Sequence, residues 1–360
     1  MATDLLTADT ATTGRTAVRS GESLSRQGSG SVDRLPPDAG VKPETVPGNG
    51  EGQGGSSATA AESASVVGRS AVSSLVSDFL QLTKPRIVVM ILVTTYATAM
   101  IGASGPVALG SLFWLLVGTA AIAGSAGAGN QIWERVIDSR MTRTANRPLS
   151  SGRMSPLSAA VFTVVLGFTG TAILAARFGL TPAFVGVATW LLYVLVYTPM
   201  KTRTAWNTTV GAIAGAVPVL IGYTATGGQL TDWTGWLLVG VLVAWQYPHF
   251  MAIAWMYRRQ YEEAGFKMTT TEEPTGRSAG WQSIVGSAVL IGMGVTLCWL
   301  PAGLGGAVVG SIAVIAAAWP MLLASVNFSS CPDDQTARKL LRSSLLVLPA
   351  VLAVVTLLFW

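Results

Sequence analysis

Charge is what this chain has least of. Asp, Glu, Lys and Arg make up 11% of its 360 residues, against roughly 25% in soluble domains. It has two cysteines and one histidine. Cys298 falls in an apolar run and Cys331 in a late polar loop, which excludes a disulfide framework or a zinc cluster as the organising device. The net charge of +5 is too small to call for nucleic acid, and its distribution has a simpler reading given below. No repeat of solenoid period is present. The start, MATDLLTADTATT, lacks a basic segment followed by an apolar core, so it is not a secretory signal.

Apolar sequence is abundant instead. Half the chain is hydrophobic and the mean hydropathy is +0.51. Several apolar runs reach about 18 residues, enough to cross a bilayer. The expected fold class is all-α: a polytopic membrane protein with nine spans, over 86–103, 107–129, 156–175, 180–197, 208–225, 234–256, 282–300, 304–326 and 343–360. Residues 1–75 form a separate N-terminal tail rich in Gly, Ser, Thr, Ala and Pro, including the run GNGEGQGGSS. Such a segment has too little apolar surface to offset its ordering entropy and is expected to be disordered. It carries arginines and serines as an organellar transit peptide does. Nine acidic residues from Asp4 to Asp78 argue against that reading and favour a bacterial inner membrane. The transmembrane domain is expected over 76–360, beginning with a short interfacial helix at 75–83. Lys84-Pro85-Arg86 then marks the start of the first span.

The few charges are distributed one-sidedly. Of 23 Lys and Arg, six lie before residue 75, sixteen lie in the loops before spans one, three, five, seven and nine, and Arg177 stands alone on the other side. The positive-inside rule puts the loaded side in the cytoplasm. The N-terminus is therefore expected inside and the C-terminus outside. Apart from Asp232, the acids also fall in the tail or the cytoplasmic loops, so most polar chemistry converges on one face.

The richest stretch is 130–153, NQIWERVIDSRMTRTANRPLSSGR. Asn130, Glu134 and Asp138 recur every four residues, which stacks them on one face of a helix. Arg135, Arg140, Arg143, Arg147 and Arg153 interleave or follow. Carboxylates suit Mg²⁺, which binds through one or two of them plus substrate phosphates, and guanidiniums suit phosphate. The plainer reading is a solvated acidic face beside topology-setting arginines. It is weakened by the cost of an unpaired carboxylate at the end of an apolar helix.

Two further constellations follow. YTPMKTRTAWN (197–207) offers Lys201 and Arg203 to a phosphate, and Asn207 opens the next span, where Gly211 and Gly215 form a GxxxG that permits close packing. Pro218 suggests a kink. WQYPHF (245–250) holds His249, either a functional group inside the membrane or a hydrogen-bonded packing residue. Trp245, Tyr247 and Phe250 offer ring faces for a carbocation, or are lipid-facing or core aromatics. RRQYEEAGFKM (258–268) then repeats acids among bases. An acid-and-arginine face above an apolar bundle suits an amphipathic substrate with a diphosphate head. The natural reaction is ionisation of an allylic diphosphate followed by alkylation of an electron-rich acceptor.

The segments NQIWERVIDSRMTRTANRPLSSG, YTPMKTRTAWNTTVGAIAGAVPVLIGY and WQYPHFMAIAWMYRRQYEEAG together resemble the protoheme IX farnesyltransferases, or heme O synthases, of the UbiA prenyltransferase superfamily. The likeness covers about 80–360. It implies nine helices around a central cavity capped by cytoplasmic loops, Mg²⁺, and farnesyl diphosphate and heme b as substrates, with heme O as product. Membrane lipid surrounds the fold, and a heme A synthase or oxidase-assembly partner is left open. By resemblance, Asn130, Glu134 and Asp138 are the first metal–diphosphate motif, with Glu134 and Asp138 on the metal. Arg143 and Arg147 are its basic part, and Lys201 and Asn207 are diphosphate contacts of the second loop. His249 lies near the porphyrin as ligand or proton relay. The family's third loop has Asp before the Tyr of DYxxAG. Here Gln260 precedes Tyr261, so Glu262 or Glu263 substitutes, or the second metal site is weakened. Two rivals remain: a relative acting on another aromatic acceptor such as a hydroxybenzoate or naphthoate, and a transporter or assembly scaffold.

Overall fold

The structure is a computed structural model, and it describes residues 73–103, 105–301 and 303–360. Most of the expected tail therefore lies outside the described residues. Residues 73–75 belong instead to a helix over 73–82. Among the described residues there is no strand, and nine helices are long and apolar enough to cross a membrane. They are Pro85–Gly102, Leu109–Asp138, Pro156–Phe178, Leu180–Met200, Asn207–Ala225, Trp233–Met256, Arg277–Cys298, Leu304–Ser330 and Asp334–Phe359, and are called spans one to nine below.

The spans stand where the apolar runs place them, but several helices outrun those runs. Span two has 30 residues and ends at Asp138, well past the expected limit at 129. At 1.5 Å per residue such a helix is about 45 Å long and exceeds the bilayer's hydrocarbon core. Its last turns, with Asn130, Glu134 and Asp138, therefore belong to a polar extension of the same rigid rod. Span nine likewise begins at Asp334 rather than 343. Asp333 caps it by accepting from Thr336 N–H at 2.7 Å, which lets a polar first turn join the helix. A hydropathy window finds the greasy part of a helix, not its capped ends.

Two spans are irregular, and both irregularities have local causes. Span four winds into a π-helical turn over Leu192–Tyr197. Pro199 has no N–H to continue the regular ladder, and Thr198 N–H bonds instead to Tyr193 O. Span five breaks between Ala216 and Val219, at the expected Pro218. Just past the break the two spans are tied together: Thr98 Oγ1 of span one donates to Val219 O at 2.9 Å.

Spans one and five approach closely. A Cβ on Gly222 would stand 2.2 Å from the carbonyl oxygen of Thr95. Thr226 Oγ1 of the loop after span five donates to Ala99 O of span one at 2.8 Å. The GxxxG glycines serve two neighbours rather than one. Gly211 abuts the Tyr197 ring of span four, and Gly215 abuts the Gln246 amide of span six.

The polar loops fold over the extended end of span two. One apolar cluster joins Leu82, Ala128, Leu149, Met154 and Ala159. A second joins Met141 of the first loop to Tyr261, Ala264 and Phe266 of the third. Arg153 also clamps Asp78 at 3.0 Å, tying the first loop to the helix over 73–82. That helix turns Leu75, Val76 and Leu80 outward, as an interfacial helix does. The Gly222 contact gives a direct test. Gly222→Ala is expected to destabilise the solubilised protein by about 1–3 kcal/mol through overpacking, while Gly292→Ala, which faces open space, leaves the thermal midpoint unchanged.

Candidate active site

The i, i+4, i+8 face of span two is buried. Asn130, Glu134 and Asp138 are 0%, 6% and 1% exposed, so the solvated-face reading fails. Each side chain meets a basic partner from elsewhere in the chain. Lys84 Nζ donates to Asn130 Oδ1. Lys201 Nζ, just beyond span four, pairs with Glu134 Oε1 at 2.6 Å. Arg147, in the first loop, pairs with Asp138 Oδ2. Asn130 Nδ2 donates to Thr198 Oγ1 at 2.9 Å, and Thr198 in turn donates to Tyr193 O at 2.8 Å. The amide of Asn130 is thus oriented by its two neighbours.

The π turn places rings beside the cations. Lys201 Nζ lies 4.7 Å from the Tyr197 ring centroid, and Lys84 Nζ lies 6.0 Å from that of Tyr193. Arg143 sits over Tyr257 at 4.5 Å and donates to Tyr261 Oη at 3.4 Å. Its Nη1 is buried without a hydrogen-bond partner, as is Gln260 Oε1. Buried polar atoms are ordinarily paired, so an orphaned guanidinium donor marks a place for an acceptor.

The electrostatics favour an anion. Lys84, Arg143, Arg147 and Lys201 surround two carboxylates, leaving positive charge in excess. Burial, then repulsion by Arg147, pulls the Lys84 ammonium down to about 7. Burial also pulls on Lys201, but Glu134, then Tyr197 and Tyr193, outweigh it and raise its pKa. Arg143 is raised likewise, since Tyr261 and Tyr257 overcome its burial. A buried ammonium paired with a carboxylate keeps its proton; a buried one whose hydrogen bond goes to an amide is held less firmly.

The remaining expected residues divide between the cluster's edge and places apart from it. Asn207 is buried, and its Nδ2 donates to Thr204 O at 2.7 Å and Lys267 O at 2.6 Å. Lys267 N–H reaches Lys201 O at 2.7 Å. Asn207 therefore ties the second loop to the third and steadies Lys201. Tyr261 is buried against Arg143, but Glu262 and Glu263 are exposed, because a helix that turns Tyr261 inward turns its next residues away. Nothing at 262 or 263 makes up for Gln260. His249 stacks on Trp245 at 4.8 Å, and its Nδ1 meets Ser344 Oγ of span nine at 2.9 Å. None of its partners belongs to the acid–cation cluster. Trp245 donates to Ser344 O, whereas Tyr247 donates to Thr209 and lines another cavity, so the WQYPHF aromatics do not form one wall. That cavity, of about 730 Å³, lies between spans five, six and seven. The rings at the cluster are Tyr193, Tyr197, Tyr257 and Tyr261. Lys84, Thr198 and the rings of Tyr193, Tyr197 and Tyr257 are what sequence reasoning missed at the site.

Comparison with known proteins gives this arrangement a context. A sequence model of the UbiA prenyltransferase family matches residues 91–346. A protoheme IX farnesyltransferase of Rhodopirellula baltica is 62% identical over 282 residues, covering 77% of this chain and 98% of that protein. Another, of Salinibacter ruber, is 36% identical over 276 residues, with 77% and 96% covered. Among solved structures, a UbiA homolog from Archaeoglobus fulgidus bound to GPP and Mg²⁺ superposes with a TM-score of 0.59 at 16% identity, covering 77% of this chain and 99% of that one. The fold is thus the one in which that homolog holds a prenyl diphosphate. With a family match across most of the membrane domain and nine helices in the same architecture, the chain belongs to the UbiA prenyltransferase family.

Proposed function

We propose that this chain transfers the farnesyl group of farnesyl diphosphate to a vinyl group of heme b, giving heme O, at the buried cluster on the end of span two. One observation carries the site assignment. Two carboxylates a turn apart are enclosed by more cations than they can neutralise, and Arg143 adds an unpaired donor. The acceptor is carried by the likeness to the protoheme IX farnesyltransferases.

The donor set fits Mg²⁺. Among the described residues no group of three or more His, Cys, Asp or Glu gathers, and a pair of carboxylates is what Mg²⁺ takes when substrate phosphate and water complete its shell. Glu134 and Asp138 would hold it. Bound there, it supplies positive charge against the diphosphate. Lys201, Arg147 and Arg143 donate to the diphosphate oxygens. The C1–O bond of the farnesyl group breaks and its electron pair departs on pyrophosphate, whose charge these residues stabilise. The Tyr193 and Tyr197 ring faces sit beside the developing allylic cation. The vinyl π electrons of heme b then bond to C1. The cation left next to the porphyrin takes up water and loses a proton, which yields the hydroxyethylfarnesyl group.

We place the site on the cytoplasmic side, with the C-terminus outside, a reading the one-sided charge distribution supports, and in a bacterial inner membrane, which the acids of the tail favour. Arg177, the exception, lies over Trp114 at 4.9 Å at the opposite end of the bundle.

Two experiments test these assignments. Membranes given farnesyl diphosphate and heme b are expected to form heme O, with Asp138→Asn lowering the rate by about 100-fold or more, the scale of losing one transition-state electrostatic contact. Undiminished turnover by well-folded Asp138→Asn would refute the site, and prenylation of an aromatic acid in place of heme would refute the acceptor. Cys331 is exposed between spans eight and nine, while Cys298 is buried. A membrane-impermeant thiol reagent is therefore expected to label Cys331 in inverted vesicles and not in intact cells; the reverse pattern would overturn the orientation.

A further inference from the structure

The residue that opens the first span has an unusual backbone. Lys84 has φ 54° and ψ 61°, and it is the one non-glycine residue with positive φ among the described residues. Its N–H bonds to Gln81 O at 3.2 Å and ends the helix over 73–82. Glycine is the usual occupant of a left-handed position after a helix, because a Cβ crowds the following carbonyl there. The next residue is Pro85, whose ring favours an extended predecessor. Two local preferences therefore oppose a lysine at this position.

The turn has one visible consequence. It directs the side chain to the amide of Asn130, next to the Tyr193 ring. Among the described residues, the hydrogen-bond partner of this ammonium is a neutral amide. The two nearby carboxylates are already engaged, Glu134 with Lys201 and Asp138 with Arg147. Lys84 is thus a cation of the pocket without an anion of its own. Backbone strain that the surrounding structure enforces is found at ligand clamps, where placement outweighs the local cost.

We propose that Lys84 is a catalytic residue that binds the substrate's diphosphate directly: its ammonium passes from Asn130 to a phosphate oxygen, and its left-handed backbone is the strain that places it there. This inference rests on the reading of the cluster as a diphosphate site. Lys84 stands on the first span's threshold, whereas Lys201 and Arg147 come from the second and first loops. The diphosphate is then gripped by cations from three separate segments of the chain, and Lys84 stays on the pyrophosphate as it leaves.

The test uses the full-length solubilised protein, with Mg²⁺ and inorganic pyrophosphate as the probe. Lys84→Met removes the ammonium and keeps the backbone demand; Lys84→Gly removes both. Each variant is expected to bind pyrophosphate about tenfold more weakly or worse, the scale of one charge-assisted hydrogen bond, and to lose kcat with farnesyl diphosphate. Lys84→Gly alone is expected to unfold at a higher temperature than the parent chain. Parent-like pyrophosphate affinity in either variant overturns the contact. An unfolding temperature for Lys84→Gly at or below that of the parent overturns the strain. Failure of the parent protein itself to bind pyrophosphate would sink the diphosphate site, a result separate from any failure of Lys84.

Discussion

The structure turns on two buried ion pairs, Glu134 with Lys201 and Asp138 with Arg147. Taking such charges out of water is expensive, and their attraction repays this only with good geometry and further hydrogen bonds. The surrounding fold supplies those. Span two must be long enough to carry its acids past the hydrocarbon. The first loop must return Arg147 to Asp138, and the second must return Lys201 to Glu134. The apolar clusters beneath the loops, the Arg153–Asp78 clamp and the Asn207 ties to Thr204 and Lys267 hold those returns in place. Polar chemistry at the mouth and apolar packing below it are parts of one arrangement.

The same pairs limit how ligands enter. On the proposed reading, a metal at the two carboxylates would displace Lys201 and Arg147 from them, and each would then need an anion nearby. A diphosphate answers that need, with Arg143 Nη1 already unpaired beside it. Under the proposed function, metal and diphosphate would therefore be taken up as a unit. The π turn in span four sets the Tyr197 and Tyr193 rings beside Lys201 and Lys84, and π turns inside α-helices are common at functional sites.

Much of this was legible in the sequence, for reasons that differ by residue. The nine spans follow from hydropathy and length, and the shared face of Asn130, Glu134 and Asp138 follows from helical spacing alone. Arg147 and Lys201 were legible as bases in loops on the same side of the membrane. Lys84 was not, because its partner lies 46 residues away and a lysine before a membrane helix looks like a topology signal. Tyr193 and Tyr197 were hidden because the π turn that aims them departs from the regular period. The WQYPHF segment left two readings open; in the structure Trp245 and Tyr247 leave span six in different directions, and His249 is engaged by Ser344 and the Trp245 ring. Glu262 shows the opposite error, in which the right residue type stands one position from an inward-facing tyrosine and points away.

The central claim is that the carboxylates of span two are released to a metal only when a diphosphate receives their cations. Titrating the solubilised protein with Mg²⁺, with and without saturating pyrophosphate, measures that coupling directly. The account predicts that pyrophosphate tightens Mg²⁺ binding by about tenfold or more, with a reciprocal effect of Mg²⁺ on pyrophosphate. Equal Mg²⁺ affinity in the two titrations would contradict it.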